Sequence, residues 1–415
     1  MFSEEELEEA VLEWFRELGY SILFGPNISP SGKKCEREDY KQVVLKDRLR
    51  DVLYRINSDT PSKAIEEAIR KITIPDSPDL IENNRKFHRM ITDGVDVEYQ
   101  RENGSNKTDK VWLFDEENLK NNDWAVVNQF TVVKDNQNTD DNNNRRPDVV
   151  VFVNGLPLAV FELKSTSQEK ANINKAYNQL QTYKKEISSL FDYNEVMVIS
   201  DGVNAQAGTI TSNIERFMPW RSIEGDEIAP QGIPEIEVLI KGMFNKERFL
   251  ELIHYFVLFQ DDGVNITKIL SAYHQYYAVN KAVDRTELAI SDEGDKRIGV
   301  IWHTQGSGKS ISMVFYSGKL ILGLDNPTIV VITDRNDLDD QLFGTFSKSE
   351  QLLRQEPKQA GSREHLKKLL SVDSGGVIFT TIQKFEENEE DPVLTDRNNV
   401  IVIADEAHRS QYGFD

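Results

Sequence analysis

Leu7, Val11, Trp14, Phe15 and Leu18 recur at helical spacing near the start of the chain. The pattern predicts an amphipathic helix stopped by Gly19. Residues 135–144 consist of Asn, Asp, Gln and Thr, so an exposed loop or turn is expected there. Two β-rich runs follow, 148–153 and 156–164, separated by Asn154-Gly155, the strongest short signal for a hairpin. A helix is then expected over 168–190, with Ile173, Ala176, Leu180, Tyr183, Ile187 and Leu190 on one face. The stretch 223–234 is polar and broken by proline and glycine, which places a domain boundary at 228/229. Beyond it, buried-type runs at 298–302, 328–333, 376–381 and 400–404 alternate with helical stretches. That alternation predicts an α/β unit with a parallel sheet covered on both faces.

Two domains also follow from length, because 415 residues exceed what one core usually serves. Hydrophobic residues make up 39% and charged residues 29%, an ordinary globular composition. No run is apolar enough to span a bilayer, and the acidic start has no apolar run behind it, which argues against a secretory signal. Cys35, the single cysteine, can form neither an internal disulfide nor a thiolate zinc site. A cytoplasmic protein is expected. The balance of 49 basic against 70 acidic residues counts against nucleic acid globally, so a local basic patch would be required. Candidates are Lys33, Lys34 and Arg37, the pair Arg145 and Arg146, and the pair Lys184 and Lys185.

Thr304-Gln-Gly-Ser-Gly-Lys-Ser310 lies between a predicted strand and a predicted helix, the setting a phosphate loop needs. Thr304, Gln305, Gly306, Ser307 and Gly308 would curl their amides toward phosphate oxygens. Lys309 would reach the terminal phosphates of ATP and Ser310 would hold magnesium. The strict pattern has glycine where this chain has His303. Downstream, Asp405-Glu-Ala-His408 ends a buried run. Asp405 suits a magnesium ion and Glu406 suits the attacking water. With this pair the second half resembles superfamily 2 helicases and translocases. The resemblance implies that Gln275 contacts adenine, and that Asp334-Arg335 and Thr380-Thr-Ile-Gln383 track a nucleic-acid backbone.

In the first half, Asp148 and Glu162 could share a divalent cation, and Lys164 could orient water or stabilise charge on a scissile phosphate. Glu162 and Lys164 are two apart on a strand and share a face. A three-residue reversal at 154–156 would set Asp148 opposite Glu162, whereas a two-residue turn would send them to different faces. An ordinary hairpin with polar residues on its wet side is the competing account. Pro147-Asp148 with Glu162-Leu-Lys164 resembles the PD-(D/E)xK nucleases. Gln179 and Tyr183 look like the Gln-x-x-x-Tyr element of the subgroup fused to DNA motors, and Glu8 looks like the first-helix glutamate of that fold. Packing in the apolar stripe for Tyr183 and surface solvation for Glu8 are the plainer alternatives.

A nuclease ahead of a motor resembles the restriction subunit of type I restriction-modification enzymes. The resemblance implies a mixed-sheet PD-(D/E)xK domain over 1–228 and a RecA-like translocase lobe over 229–415. It also implies Mg2+ and ATP as cofactors, double-stranded DNA as substrate, and methyltransferase and specificity subunits as partners. A second motor lobe with its arginine finger is not seen before Asp415, so the chain is expected to bind ATP but to hydrolyse it poorly. A DNA-repair helicase-nuclease and an ATP-binding module with a decayed nuclease are the other readings. The absence of methyltransferase and specificity partners would favour the former, and loss of a site residue the latter.

Overall fold

The computed structural model describes residues 3–100, 104–134, 144–164, 172–225, 227–291, 293–333, 336–384 and 393–405. The chain divides into two compact units, one of 1–257 with 268–273, the other of 258–267 with 274–415.

The first unit opens with α1 (Glu4–Glu17). Ser3 and Glu6 close a reciprocal capping box at its start, satisfying two amides that the helix itself cannot. Leu7, Val11 and Phe15 are its buried stripe, and Gly19, at φ 78°, turns the chain away. A six-stranded sheet follows in simple chain order: β1 (Ser21–Phe24), β2 (Trp124–Asn128), β3 (Val149–Val153), β4 (Leu156–Leu163), β5 (Val196–Ser200) and β6 (Ala205–Gly208). Pairing is parallel for β1 with β2 and for β4 with β5, and antiparallel elsewhere, so the sheet is mixed. The central β3 and β4 are buried along their whole length. A hairpin with one wet face is therefore not what forms.

The helix expected over 168–190 appears as α2 (Asn172–Glu186), with a separate turn of helix at Ser188–Phe191. Ile187 breaks it, at φ −132° and ψ 51°. Helix α3 (Glu235–Met243) lies beyond the boundary read at 228/229, yet it packs on α1. Phe244, just past its end, sits edge-on to Phe15 at 5.4 Å and tilted against Phe161 at 5.2 Å. The chain up to Val257 is thus bound into the first unit's aromatic core.

The second unit contains α4 (Tyr273–Ile290) from His274 onward, α5 (Lys309–Gly323) and a parallel sheet of β7 (Thr328–Thr333), β8 (Lys358–Gln359), β9 (Val377–Thr381) and β10 (Val400–Ala404). The strands run in the order β8-β9-β7-β10. Three of the four expected runs are strands. The run 298–302 is not: Gly299 takes φ 135°, outside the pleated conformation, and Val300 and Trp302 are each 89% exposed. No described helix is long and apolar enough to cross a membrane.

Candidate functional site

Asn154 and Gly155 form a two-residue turn with φ 54° and 75°, the backbone that Asn-Gly favours. Asn154 is completely buried, and its amide donates to the Leu113 carbonyl at 2.7 Å and to Asn122 Oδ1 at 2.9 Å. By itself such a turn would put Asp148 and Glu162 on different faces. The register corrects this, because Val153 faces Leu156 and Phe152 faces Pro157, whereas Val151 faces Ala159. Leu158 is a bulge residue, and extending the register from Val149 opposite Phe161 brings Asp148 opposite Glu162.

The Leu163 amide donates to Asp148 Oδ2 at 2.7 Å. Lys164 Nζ donates to Glu162 Oε1 at 2.5 Å and to the Leu163 carbonyl at 3.0 Å. Glu162 is 2% exposed, and its Oε2 is buried without a hydrogen bond among the described residues. Burial raises Asp148 to about 6, against the pull of the Leu163 amide and Lys164. Burial and the neighbouring Asp148 carboxylate raise Glu162 to about 8. Burial also pushes the Tyr183 phenol up, with both carboxylates adding to the shift, and the Tyr183 hydroxyl donates to the Arg146 carbonyl at 3.4 Å. Gln179, four residues before Tyr183 on α2, works against that rise. Two buried carboxylates with one orphaned oxygen resist ionising together without a cation, so the donor set fits a hard divalent ion. No group of three or more His, Cys, Asp or Glu is gathered for a metal among the described residues.

Glu8 is not merely solvated. Its Oε1 accepts from Asn128 Nδ2 at 2.7 Å and its Oε2 from Gln129 Nε2 at 2.6 Å. Composition around Glu8 hides this, and Asn128 and Gln129 carry no motif that would have revealed them. Of the basic candidates, Arg37 is buried, with its guanidinium 4.0 Å from the Phe130 ring centroid and a donor bond to the Thr131 carbonyl at 3.0 Å. It therefore belongs to the core rather than to a nucleic-acid patch. Arg145 pairs with Glu186, and Lys184 Nζ donates to the Ile210 carbonyl at 2.5 Å.

In the second unit, Gly306 and Gly308 adopt φ 84° and 83°, the left-handed backbone that glycine permits, and Gly308 caps α5. The Ser307 amide and hydroxyl both donate to the Thr304 carbonyl, so 304–307 is a closed turn; Gln305 in it is exposed. Lys309 and Ser310 open α5, and the amino terminus of a helix attracts anions. Gln275, 6% exposed, donates its amide to the Gly308 carbonyl at 3.1 Å and lies 3.4 Å from Ser312 Oγ. Gln275, which the resemblance ties to adenine, thus touches the loop through its amide. His274 meets the Ser307 carbonyl at 3.2 Å. His303, Lys309 and Ala404 line one cleft, and Asp405 follows Ala404, its amide donating to the Ile332 carbonyl at 2.9 Å. Thr380 and Thr381 are buried at the end of β9. Glu406, His408, Asp334 and Arg335 lie outside the described residues.

Residues 1–216 match the family described as type I restriction enzyme R protein N terminus, and residues 274–414 match the SWI2/SNF2 ATPase family. The chain is 45% identical to the type I restriction enzyme HindI endonuclease subunit of Haemophilus influenzae, over 100% of this chain and 40% of the relative. It is 37% identical to a putative type I restriction enzyme MjaIXP endonuclease subunit of Methanocaldococcus jannaschii, over 98% of this chain and 40% of the relative. The chain thus spans about two fifths of the length of these relatives. With more than half of its residues matching that amino-terminal family, and a relative 45% identical over its whole length, the chain belongs to the type I restriction enzyme R proteins.

Proposed function

We propose that the chain carries the DNA-cleaving site and part of the ATP-driven motor of a type I restriction endonuclease acting on unmethylated double-stranded DNA. The observation that carries the reading is the register that sets Asp148 across from Glu162, with Lys164 on the same face. In this PD-(D/E)xK arrangement Asp148 and Glu162 hold a magnesium ion. A bound Mg2+ supplies charge neutralisation at the scissile phosphate and lowers the pKa of a water. Lys164 directs its ammonium at the developing negative charge, and Gln179 and Tyr183 close the side of the site nearest Glu162. In the RecA-like motor lobe, Thr304 to Gly308 cradle ATP phosphates. Lys309 neutralises the terminal ones, Ser310 and Asp405 hold magnesium, and Glu406 orients the attacking water. Sequence recognition and S-adenosylmethionine chemistry fall to the methyltransferase and specificity subunits with which the chain assembles in the cytoplasm.

The test is made in the full-length subunit assembled with those partners. Asp148→Ala or Lys164→Ala abolishes cleavage while ATP hydrolysis continues, and Lys309→Ala abolishes both. Cleavage that survives Asp148→Ala and Lys164→Ala excludes the nuclease assignment. Failure of the chain to enter a complex with methyltransferase and specificity subunits would favour a repair helicase-nuclease instead.

A further inference from the structure

Glu8 receives two side-chain amides from adjacent residues, Asn128 and Gln129. Consecutive residues of a regular strand point to opposite faces, so two neighbours cannot ordinarily grip one carboxylate. Gln129 escapes that alternation through a left-handed backbone, φ 55°, which a non-glycine residue adopts only at an energetic cost. The surroundings enforce it. The Gln129 backbone N–H donates to the Asp148 carbonyl at 3.1 Å. Gly25 also lies so close that a β-carbon there would meet the Gln129 carbonyl oxygen at 2.3 Å. A strained turn, a glycine that makes room for it and two convergent amides thus act on one carboxylate. That carboxylate is near enough to Asp148 to raise its proton affinity.

We infer that Asn128 and Gln129 are positioning residues for the cation site, fixing Glu8 so that it accepts hydrogen bonds from water on the cation held by Asp148 and Glu162. Each carboxylate oxygen of Glu8 spends one lone pair on an amide and keeps another for such a water. Groups in this outer position orient the inner ligands, and their loss typically weakens metal binding roughly 10–100-fold. The inference rests on the nuclease reading above.

The experiment titrates Mn2+ into the nucleotide-free 415-residue chain, following free Mn2+ by electron paramagnetic resonance. Gln129→Gly removes the amide while accepting the left-handed backbone, so its thermal midpoint matches that of the parent. Its Mn2+ dissociation constant rises about tenfold or more. Glu8→Ala gives a similar loss, and the double variant is no weaker than Glu8→Ala alone, because the amide acts only through Glu8. Gln129→Gly binding within about twofold of the parent, with Asp148→Ala abolishing binding, would overturn the inference and leave the nuclease site standing. A further loss in the double variant equal to that in Gln129→Gly alone would also overturn it. If Asp148→Ala binds Mn2+ as the parent does, the nuclease reading and this inference fall together.

Discussion

Asp148 falls opposite Glu162 because Leu158 is a bulge residue without a partner in β3. Deleting Leu158 shifts Glu162 by one position and turns it to the other face, so the assembled enzyme should lose cleavage. Leu158→Ala keeps the residue count. It should retain cleavage while losing roughly 2–4 kcal/mol of stability from a fully buried leucine. Chemical denaturation and a plasmid-cutting assay on both variants decide the matter, and cleavage by a folded deletion variant would contradict the register argument.

Gln275 ties the candidate phosphate loop by its bond to the Gly308 carbonyl. Gln275→Ala should loosen the loop without touching any phosphate ligand. Losing one such bond is worth about 0.5–1.5 kcal/mol, so nucleotide affinity should fall roughly 2–10-fold. Binding of a fluorescent ATP analogue measures this, and Lys309→Ala provides the larger loss for comparison.

A buried charge group lies elsewhere in the first unit. Lys268 Nζ is 2.7 Å from Glu195 Oε2, and His88 Nδ1 is 3.1 Å from the same oxygen. Burial holds the His88 ring below its ordinary value despite Glu195, so the folded chain takes up this proton less readily than the unfolded chain, whose histidine protonates near pH 6.5. The unfolded state therefore binds more protons as pH drops below about 6.5, and stability falls with it. Glu195 is pushed up by burial but held low overall by Lys268 and His88, which adds a loss in the same direction at more acid pH. Thermal midpoints should decline from pH 7 to 5.5, and His88→Gln should flatten the upper part of that decline.

Gly155→Ala should be costly for two reasons. Its φ is 75°, and a β-carbon would lie 2.4 Å from the Leu45 carbonyl oxygen. A left-handed alanine alone costs about 1–2 kcal/mol, and the clash adds to it. Urea unfolding should show a loss of at least about 2 kcal/mol, and an unchanged midpoint would mean that the turn relaxes freely.

The Asn-Gly turn was legible because its backbone demand is local, whereas the register was not. Residues 156–163 read Leu-Pro-Leu-Ala-Val-Phe-Glu-Leu, apolar on both faces, so no alternation marks Leu158 as the extra residue. Sequence spacing marked Asp148, Glu162, Lys164 and the phosphate loop as candidates because their chemistry needs those residue types. Glu8 was visible only by resemblance, since the residues that define it, Asn128 and Gln129, are 120 and 121 positions away. The run 298–302 had strand composition, but an apolar run does not reveal how its glycine will turn. Polar, proline-broken sequence at 223–234 looked like a boundary, and apolar helices beyond it do not announce which core they will join.

The chain passes from the first unit to the second after Val257, returns at Lys268 and leaves again after Tyr273. The residue that neutralises Glu195 thus arrives on the return pass. A gene fusion or exchange made just after Val257 would strand a buried carboxylate without its cation, a defect that costs about 3–5 kcal/mol. The first unit is consequently not a cassette that a single crossover at that point can move between proteins. Lys268 stays with Glu195 only when the break is placed after Tyr273, within the first turn of the helix that carries Gln275.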